Sequence, residues 1–361
     1  MQRRNILSPK CIYSTEVVAV RLKNGIFWFG ILLLAAGLLC FPDAAAAGTV
    51  HGLRTCGTAL IPALFPYFVL SRLVISRASF GRLSALSDRL MRGLFGVEGG
   101  CLPALLVSFL GGYPVGAATL VSLYQGGKIT KQSAQRALCF CNNSGPAFFL
   151  GVAGGIVLGS TRAGLALYCI HVLSALCAGI LLAAPTPPPV AVRREASPPV
   201  PLSRAFSETV GGSCAALLQI SGLVIFFSVL NSLADRAGLW SIVSGFPAAK
   251  GLLSGILELT SGILQLSGPW EVRFLACAFL LGWGGVCVHF QAASLWEPAG
   301  LRPQGYLAGK ALHSLLSLLF AAVYLHPNAI FISIAAGFFA LCALFPALRK
   351  KRTGNLRRGI I

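Results

Sequence analysis

Charged residues are scarce in this sequence, and acidic residues are the scarcest of them. Only 11% of the 361 residues are charged, and Asp and Glu together number 10. Soluble domains carry about 25% charged residues, because a core of this size has to be covered by polar surface. The shortage therefore excludes a soluble globular protein. With 56% hydrophobic residues and a mean hydropathy of +0.78, the sequence predicts an integral membrane protein.

The sequence also lacks the motifs on which catalysis inside a membrane depends. It contains no H-E-x-x-H zinc motif, no G-x-S-x-G turn, no P-loop and no paired intramembrane aspartates. The 12 cysteines are scattered, and the C-x-C at Cys139 and Cys141 has neither a second pair nor a nearby His to complete a zinc site. We therefore expect no enzymatic activity, no metal and no cofactor.

Apolar runs long enough to cross a bilayer recur along the chain. A helix needs roughly 20 apolar residues to cross ~30 Å of hydrocarbon. The first run is followed at 44–48 by small residues that resemble a signal-peptide cleavage region, and we favour a retained helix there. The runs predict membrane segments at 26–41, 57–76, 137–160, 163–184, 206–234, 274–295, 305–325 and 328–347.

The net charge of +19 is concentrated at the two chain ends and in three internal segments, 77–98, 128–136 and 185–205. Short loops rich in Lys and Arg stay on the cytoplasmic side of a membrane. We therefore expect both termini and these three segments to be cytoplasmic. The same clusters would attract the anionic headgroups of the lipid bilayer, and nucleic acid is not an expected partner.

This assignment leaves two apolar stretches that do not cross the membrane completely. Residues 101–124 lie between two cytoplasmic segments, so they are predicted to enter and leave on one side as a re-entrant hairpin. The bend is expected at 111–114, because two glycines and a proline break a helix there. In the second half, 251–268 is the matching hairpin, which dips from the opposite side and breaks around Ser261 and Gly262.

The two halves thus carry the same order of membrane elements in opposite orientation. We predict an all-α polytopic membrane protein with inverted repeats, two re-entrant helical hairpins and interrupted transmembrane helices. The predicted units are a cytoplasmic N-terminus with the first transmembrane helix at 1–48, a first repeat at 49–184, a Pro-rich cytoplasmic linker at 185–205, an inverted second repeat at 206–326, and a last transmembrane helix with a basic cytoplasmic tail at 327–361.

Polar residues collect at the predicted interruptions. The run Cys141 to Pro146 interrupts an apolar span, which is tolerated only where protein or a watery cavity satisfies the backbone. Glu258 is the acidic residue predicted to lie deepest, and buried carboxylates usually pair, bind a cation or hold a proton. His171 and His313 are expected to be packing residues, since each stands alone in an apolar helix. The predicted solute site comprises Gly112, Tyr113, Asn142, Asn143, Ser144, Glu258, Thr260, His289 and Gln291.

Four motifs in this order resemble those of a known family. They are Gly-Gly-Tyr-Pro-Val-Gly at 111–116, Cys-Asn-Asn-Ser-Gly-Pro at 141–146, Glu-Leu-Thr-Ser-Gly at 258–262 and Gly-Trp-Gly-Gly-Val-Cys-Val-His-Phe-Gln at 282–291. They are similar to motifs of the YlbJ-type sporulation integral membrane proteins, in the nucleoside-recognition (Gate) domain group. The resemblance implies a multi-pass protein of a spore-forming bacterium, similar in plan to concentrative nucleoside transporters. It also implies passage of dipicolinate across the outer forespore membrane.

Two departures from this family pattern leave the identity of the solute undecided. Ala118 stands where the resemblance leads us to expect Lys, and Cys287 where it leads us to expect Ser. Half-helix ends can hold the carboxylates of dipicolinate, while a nucleoside would suit the Asn and Glu groups equally well. The favoured reading is a transporter of a small polar solute by alternating access at the hairpin tips.

A non-transporting protein is the alternative from a different class. Such a structural or recruiting protein of sporulation would dock through the Pro-rich linker, although a plain spacer is the simpler interpretation of that segment. Both readings are compatible with a homo-oligomer, and with either the cell membrane or the outer forespore membrane.

Overall fold

The residues described by the computed structural model are mostly helical. These residues are 25, 27–77, 84–184, 201–243, 245–246, 248–327, 333, 336–338, 340, 342 and 344–345. Within these ranges no β-strand occurs. The predicted cytoplasmic N-terminus up to residue 24, most of the Pro-rich linker and most of the last predicted helix lie outside the described residues.

The first half of the chain folds into eight α helices within the described ranges. Thr130 and Ser160 begin two of them, and each side chain accepts a hydrogen bond from a backbone N–H of the first turn. Three π-helical segments lie at Cys56–Leu60, Met91–Phe95 and Phe148–Val157. The α helices are α1 Phe27–Cys40, α2 Pro42–Thr55, α3 Ile61–Arg77, α4 Ser84–Leu90, α5 Leu102–Gly111, α6 Val115–Gln125, α7 Lys131–Leu138 and α8 Thr161–Leu181.

The second half continues with longer helices. α12 packs against both α14 and α8, and apolar side chains from these helices form the largest hydrophobic core. A short 3-10 helix at Leu239–Val243 and a turn connect α9 to α10. The helices are α9 Leu202–Arg236, α10 Ala249–Leu257, α11 Leu259–Leu264, α12 Trp270–Trp283, α13 Gly285–Trp296 and α14 Tyr306–Leu325.

Four helical stretches are long and apolar enough to cross a membrane, namely Thr161–Leu181, Ser203–Arg236, Trp270–Trp296 and Tyr306–Leu325. They coincide with four of the predicted segments. Two bent pairs raise the number to six if each counts as one span: α1 with Pro42–Leu60, bent by 100°, and Leu86–Phe95 with Gly99–Gly111, bent by 92°. The described part of the chain is thus that of an integral membrane protein with several apolar helices.

The chain between the first two predicted spans is helical. The small-residue stretch that resembled a cleavage region is helix α2, which begins at Pro42 and packs against α9. A Cβ atom on Gly48 would lie 2.8 Å from Val229 Cα, and one on Gly52 would lie 2.7 Å from Ile225 Cα. Small residues are therefore used here because they let two helix backbones approach closely.

Both predicted hairpins contain a break, but only one break lies at the predicted place. α5 ends at Gly111 and α6 begins at Val115, and the positive φ of 81° at Gly112 is accessible to glycine. In the second hairpin the break lies at Glu258, which is extended between α10 and α11. The prediction of a break at Ser261 and Gly262 was wrong, because both residues lie inside α11.

Two further spans are interrupted, as predicted. The backbone leaves the helix after α7 and returns to helical form only near the π-helical segment Phe148–Val157. Between α12 and α13 the interruption is Gly284, whose φ is 92°. Both interruptions fall in the motifs that the sequence singled out.

Hydrogen bonds join distant chain segments at both ends of the span Trp270–Trp296. At one end of the span Trp270–Trp296, the Arg302 N–H donates to Gln135 Oε1 at 2.8 Å. At the other end, the Trp270 indole N–H donates to the Leu158 carbonyl at 3.1 Å, and Arg273 donates to the neighbouring Val157 carbonyl. The charge pattern predicts that the end with Gln135 and Arg302 is cytoplasmic.

Candidate functional site

Three of the helix interruptions touch one another. A Cβ atom on Gly145, in the broken span after α7, would lie 2.9 Å from the Gly112 nitrogen. A Cβ atom on Gly284 would lie 3.3 Å from the Tyr113 ring. The bend of the first hairpin is therefore held between the interruptions of two spans. At Gly145 a side chain would collide with the Gly112 backbone, and at Gly284 the positive φ of 92° favours glycine.

The fourth interruption is the break at Glu258 between α10 and α11, and it contacts the others through Gly285. A Cβ atom on this residue would lie 3.1 Å from the Leu259 nitrogen, at the start of α11. The Glu258 carboxylate accepts hydrogen bonds from the N–H groups of Thr260 at 2.9 Å and Ser261 at 2.7 Å. This buried carboxylate therefore caps α11, and its two oxygens satisfy N–H groups that the break would otherwise leave without partners.

A buried lysine that the sequence analysis missed lies against the first hairpin. Lys310, in the second turn of α14, is 1% exposed. Its ammonium donates to the Tyr113 hydroxyl at 3.0 Å and to the Asn142 carbonyl at 3.1 Å. It also lies 4.8 Å from the centre of the Tyr113 ring, a cation–π contact. The Tyr113 hydroxyl in turn donates to the Leu281 carbonyl at 2.7 Å.

Lys310 has no acidic partner among the described residues. The ion pairs within 4.0 Å in that part of the chain involve other residues, such as Lys250 with Asp235 at the surface. Removing an ammonium from water costs several kcal/mol unless an opposite charge compensates. A carbonyl, a hydroxyl and an aromatic ring reduce this cost but bring no negative charge. The position is therefore suited to receiving an anion.

Beside Lys310 lies a group of polar side chains that is only partly hydrogen-bonded. The Asn142 side-chain amide donates to the Tyr306 hydroxyl at 2.8 Å, and His289 Nδ1 lies 3.2 Å from the same oxygen. All three residues are buried. Asn142 Oδ1 and His289 Nε2 have no hydrogen-bond partner among the described residues. Because unsatisfied buried groups are costly, they are candidate contacts for a polar solute.

Two buried histidines lie beside this group. The rings of His171 and His313 lie 4.4 Å apart, and His313 Nε2 is 3.0 Å from the His171 carbonyl. His171 Nε2 accepts from the Ser144 N–H at 3.2 Å. Both histidines are buried, as expected of packing residues, and they also pack against each other. We call the resulting set the polar cluster: Tyr113, Asn142, Ser144, His171, His289, Tyr306, Lys310 and His313.

The remaining predicted site residues lie outside the polar cluster. The Asn143 amide donates to Ser108 Oγ at 3.0 Å and to the Phe140 carbonyl at 2.9 Å, so it stabilises the broken span. The Gln291 amide contacts Cys287 Sγ at 3.2 Å on its own helix. Gly112 contributes backbone to the bend, while Glu258 and Thr260 belong to the other hairpin. The structure thus brings together Tyr113, Asn142, Ser144 and His289 from the predicted set.

The sequence contained a signal for Lys310 that the sequence analysis did not use. A lysine inside an apolar helix normally marks a functional position. Lys310 lies in the predicted membrane segment 305–325, where it was assigned no role. Tyr306 gave no comparable signal, since a tyrosine at the start of an apolar helix is typical of the membrane interface.

The chain is similar to a curated sporulation protein. It is 26% identical over 334 residues to the sporulation integral membrane protein YlbJ of Bacillus subtilis (strain 168), a match that covers 82% of this chain and 81% of that protein. No family model matches the chain. No solved structure matches it. The similarity supports the resemblance to YlbJ-type proteins, and the assignment to the Gate domain group stays a prediction.

Proposed function

We propose that this protein is a sporulation-associated transporter that carries a small organic anion through the polar cluster. The observation that carries the proposal is the buried ammonium of Lys310, which lies where helix interruptions meet and has no acidic partner among the described residues. The role in sporulation rests on the similarity to YlbJ. A dicarboxylate such as dipicolinate is the proposed solute, and the outer forespore membrane is the proposed location.

An anion would complete the polar cluster chemically. One carboxylate would compensate the Lys310 ammonium, in a low-dielectric interior where charge pairs interact more strongly than in water. The unpartnered Asn142 Oδ1 and His289 Nε2 would hydrogen-bond the rest of the solute, with His289 donating in the appropriate tautomer. Aromatic rings of Tyr113 and Tyr306 stand beside these groups and would pack against a pyridine ring.

Transport is proposed to proceed by alternating access. In this proposal α5–α6 and α10–α11 are re-entrant hairpins of two inverted repeats, and their tips move relative to the broken spans. Glycine backbones at the contact points would favour such movement, because no side chain has to pass another. The polar cluster would then open to one side of the membrane at a time.

Uptake of labelled dipicolinate into proteoliposomes tests the proposal. We expect Lys310→Met to reduce uptake at least about 100-fold, since removing one partner of a desolvated charge pair costs ~3–5 kcal/mol. Lys250→Met is the matched control, because Lys250 is half-exposed and paired with Asp235 at 2.8 Å. Its uptake should equal that of the unmodified protein.

Folding has to be separated from function in this experiment. The thermal unfolding midpoint and monodispersity of the Lys310→Met protein are measured in detergent, and Lys310→Arg supplies a second variant that keeps the charge. We expect Lys310→Arg to retain saturable uptake with a changed KM. Wild-type uptake by a folded Lys310→Met protein would overturn the proposed site. A complete absence of carboxylate transport by the unmodified protein would overturn the proposed function.

A nucleoside is the second candidate solute. The observation that favours it is the unpartnered amide and imidazole atoms of Asn142 and His289, which suit a neutral polar ligand. Competition separates the two classes: unlabelled pyridine dicarboxylates should inhibit dipicolinate uptake, while adenosine and uridine should not. Inhibition by nucleosides alone would favour the second candidate. Normal sporulation by cells carrying Lys310→Met would instead favour a recruiting role that needs no solute pathway.

A further inference from the structure

A second polar site lies between the polar cluster and one end of the molecule. A cavity of about 710 Å³ is formed by α7, the end of α8 and the loop that precedes α14. None of the described residues that line it is acidic. Its charged and amide side chains are Lys131, Arg136, Arg302, Gln132, Gln135 and Gln304. We call it the basic cavity.

The basic cavity has a fixed framework. Thr130 caps the first turn of α7 by accepting from the Ser133 N–H. Gln135 Oε1 accepts the Arg302 N–H at 2.8 Å and so joins α7 to the loop before α14. Arg136 donates to the Gly96 carbonyl at 3.2 Å. These contacts hold α7 and the loop before α14 around one space, although Gln135 and Arg302 lie more than 160 positions apart in the chain.

The basic cavity and the polar cluster are built from neighbouring residues of the same two chain segments. Cys139 and Gly305 line the cavity. The residue after Gly305 is Tyr306, whose hydroxyl accepts from Asn142 inside the cluster at 2.8 Å. Gly309 packs directly on the Cys139 carbonyl, so a Cβ atom there would overlap it. The segments 139–142 and 305–310 therefore contribute residues to both the basic cavity and the polar cluster.

We propose that the basic cavity is an anion-binding vestibule that attracts a small carboxylate or phosphate compound before it reaches Lys310. Positive clefts with low-dielectric walls raise the local concentration of an anion by about 10- to 1000-fold. The ligand chemistry could come from a solute in water or from an anionic lipid headgroup, and we assign the cavity to the solute because the chain segments that line it continue into the polar cluster. The identity of the anion rests on the proposed function, whereas the electrostatic attraction does not.

Thiol labelling inside the basic cavity tests the vestibule without transport. Gln304→Cys is introduced together with Cys139→Ala, and the rate of labelling at position 304 is measured by mass spectrometry for an anionic and a neutral methanethiosulfonate. We expect the ratio of anionic to neutral rates to fall about tenfold when Lys131→Gln and Arg302→Gln are added, since these changes remove two positive charges from the cleft. The ratio should also fall at high salt.

Matched controls separate the vestibule from the overall charge of the protein. Arg162→Gln with Lys250→Gln removes two positive charges at distant exposed positions, and the ratio should stay unchanged. Lys131→Arg keeps the cavity charge and should preserve the ratio. An equal fall in the distant double variant would overturn the proposal, because the effect would then reflect net charge alone.

Lipid composition distinguishes the two sources of the anion. In nanodiscs of phosphatidylcholine, millimolar dipicolinate or inorganic phosphate should slow labelling at position 304, and neutralising Lys131 and Arg302 should abolish this protection. Protection only in nanodiscs that contain phosphatidylglycerol would assign the cavity to a lipid headgroup and overturn the proposal. If anions slow labelling but the protein transports no carboxylate, the result supports the vestibule and contradicts the proposed transport function.

Discussion

The two buried charges at the helix interruptions have opposite surroundings. Glu258, at the second hairpin, is 3% exposed, and both carboxylate oxygens accept backbone N–H groups at the start of α11. Lys310, beside the first hairpin, is equally buried but contacts only a hydroxyl, a carbonyl and a ring. The Glu258 charge is thus satisfied by backbone N–H groups within the fold. The other still lacks a charged partner among the described residues.

The same contrast extends to the neighbouring polar atoms. Around the first hairpin, Asn142, Asn143, His171 and His289 each contain a buried polar atom without a partner among the described residues. No atom of the Glu258 turn shares that property in this part of the chain. Unsatisfied groups cost stability and are retained mainly where function needs them. This difference supports the proposal that the first hairpin carries the chemistry, whereas the second provides a rigid frame.

The largest expected effect concerns the close glycine packing that occurs in both hairpins. Gly262 lies against Gly255, and a Cβ atom on it would overlap that backbone. Gly262→Val should destabilise the protein by more than ~4 kcal/mol or prevent folding, because helix backbones rather than flexible side chains would have to move. Thermal unfolding in detergent and the yield of monodisperse protein are the measurements.

Gly151→Val is the control for this prediction, since nothing lies within 4 Å of a Cβ atom at that position. Gly116→Val, at the first hairpin, should behave like Gly262→Val, because a Cβ atom there would overlap the Cys141 carbonyl. If Gly262→Val folded normally while Gly116→Val did not, the two hairpins would differ in packing as well as in chemistry, and the rigid-frame interpretation would fail.

Replacing Glu258 separates its capping role from a role in transport. Glu258→Ala should lower the free energy of unfolding by ~2 kcal/mol, because a charged cap with two hydrogen bonds is lost. Glu258→Gln should lose about half of that, and its KM for uptake should change less than about threefold. Glu208→Ala, at an exposed ion pair with Arg204, should change neither quantity. A large rise in KM for a stable Glu258→Gln protein would contradict the comparison and support a coupling proton at this carboxylate.

Part of this arrangement could be predicted from the sequence. Glycine and proline have strong local preferences, so the bend at Gly112 and the interruption at Gly284 were visible as motifs. The break at Glu258 was predicted three residues too late, because Ser261 and Gly262 look like helix breakers when read alone. A glutamate that caps the following turn has no comparable signature, since glutamate also favours helix interiors.

The contacts of the polar cluster could not be predicted locally. Asn142 and Tyr306 are separated by 164 positions, and Tyr113 and Lys310 by 197. No hydrophobic alternation or residue spacing in the sequence indicates a contact between residues so far apart. The depth of Lys310 was also hidden, because a lysine in the second turn of an apolar helix fits a cytoplasmic end as well as a buried site. Only the packing of α14 against the broken span decides between these positions.

The smallest predicted effects test which polar residues of α13 face the solute. His289 reaches Tyr306 in the polar cluster, whereas Gln291 contacts Cys287 on its own helix. His289→Ala should raise KM for dipicolinate about three- to tenfold, the loss expected for one hydrogen bond of ~1 kcal/mol. Gln291→Ala should leave KM unchanged and lower the unfolding midpoint slightly. Because the two residues lie two positions apart on one helix, the pair controls for general damage to α13. Equal KM values for both variants would remove His289 from the solute site and narrow it to Lys310, Tyr113 and Asn142.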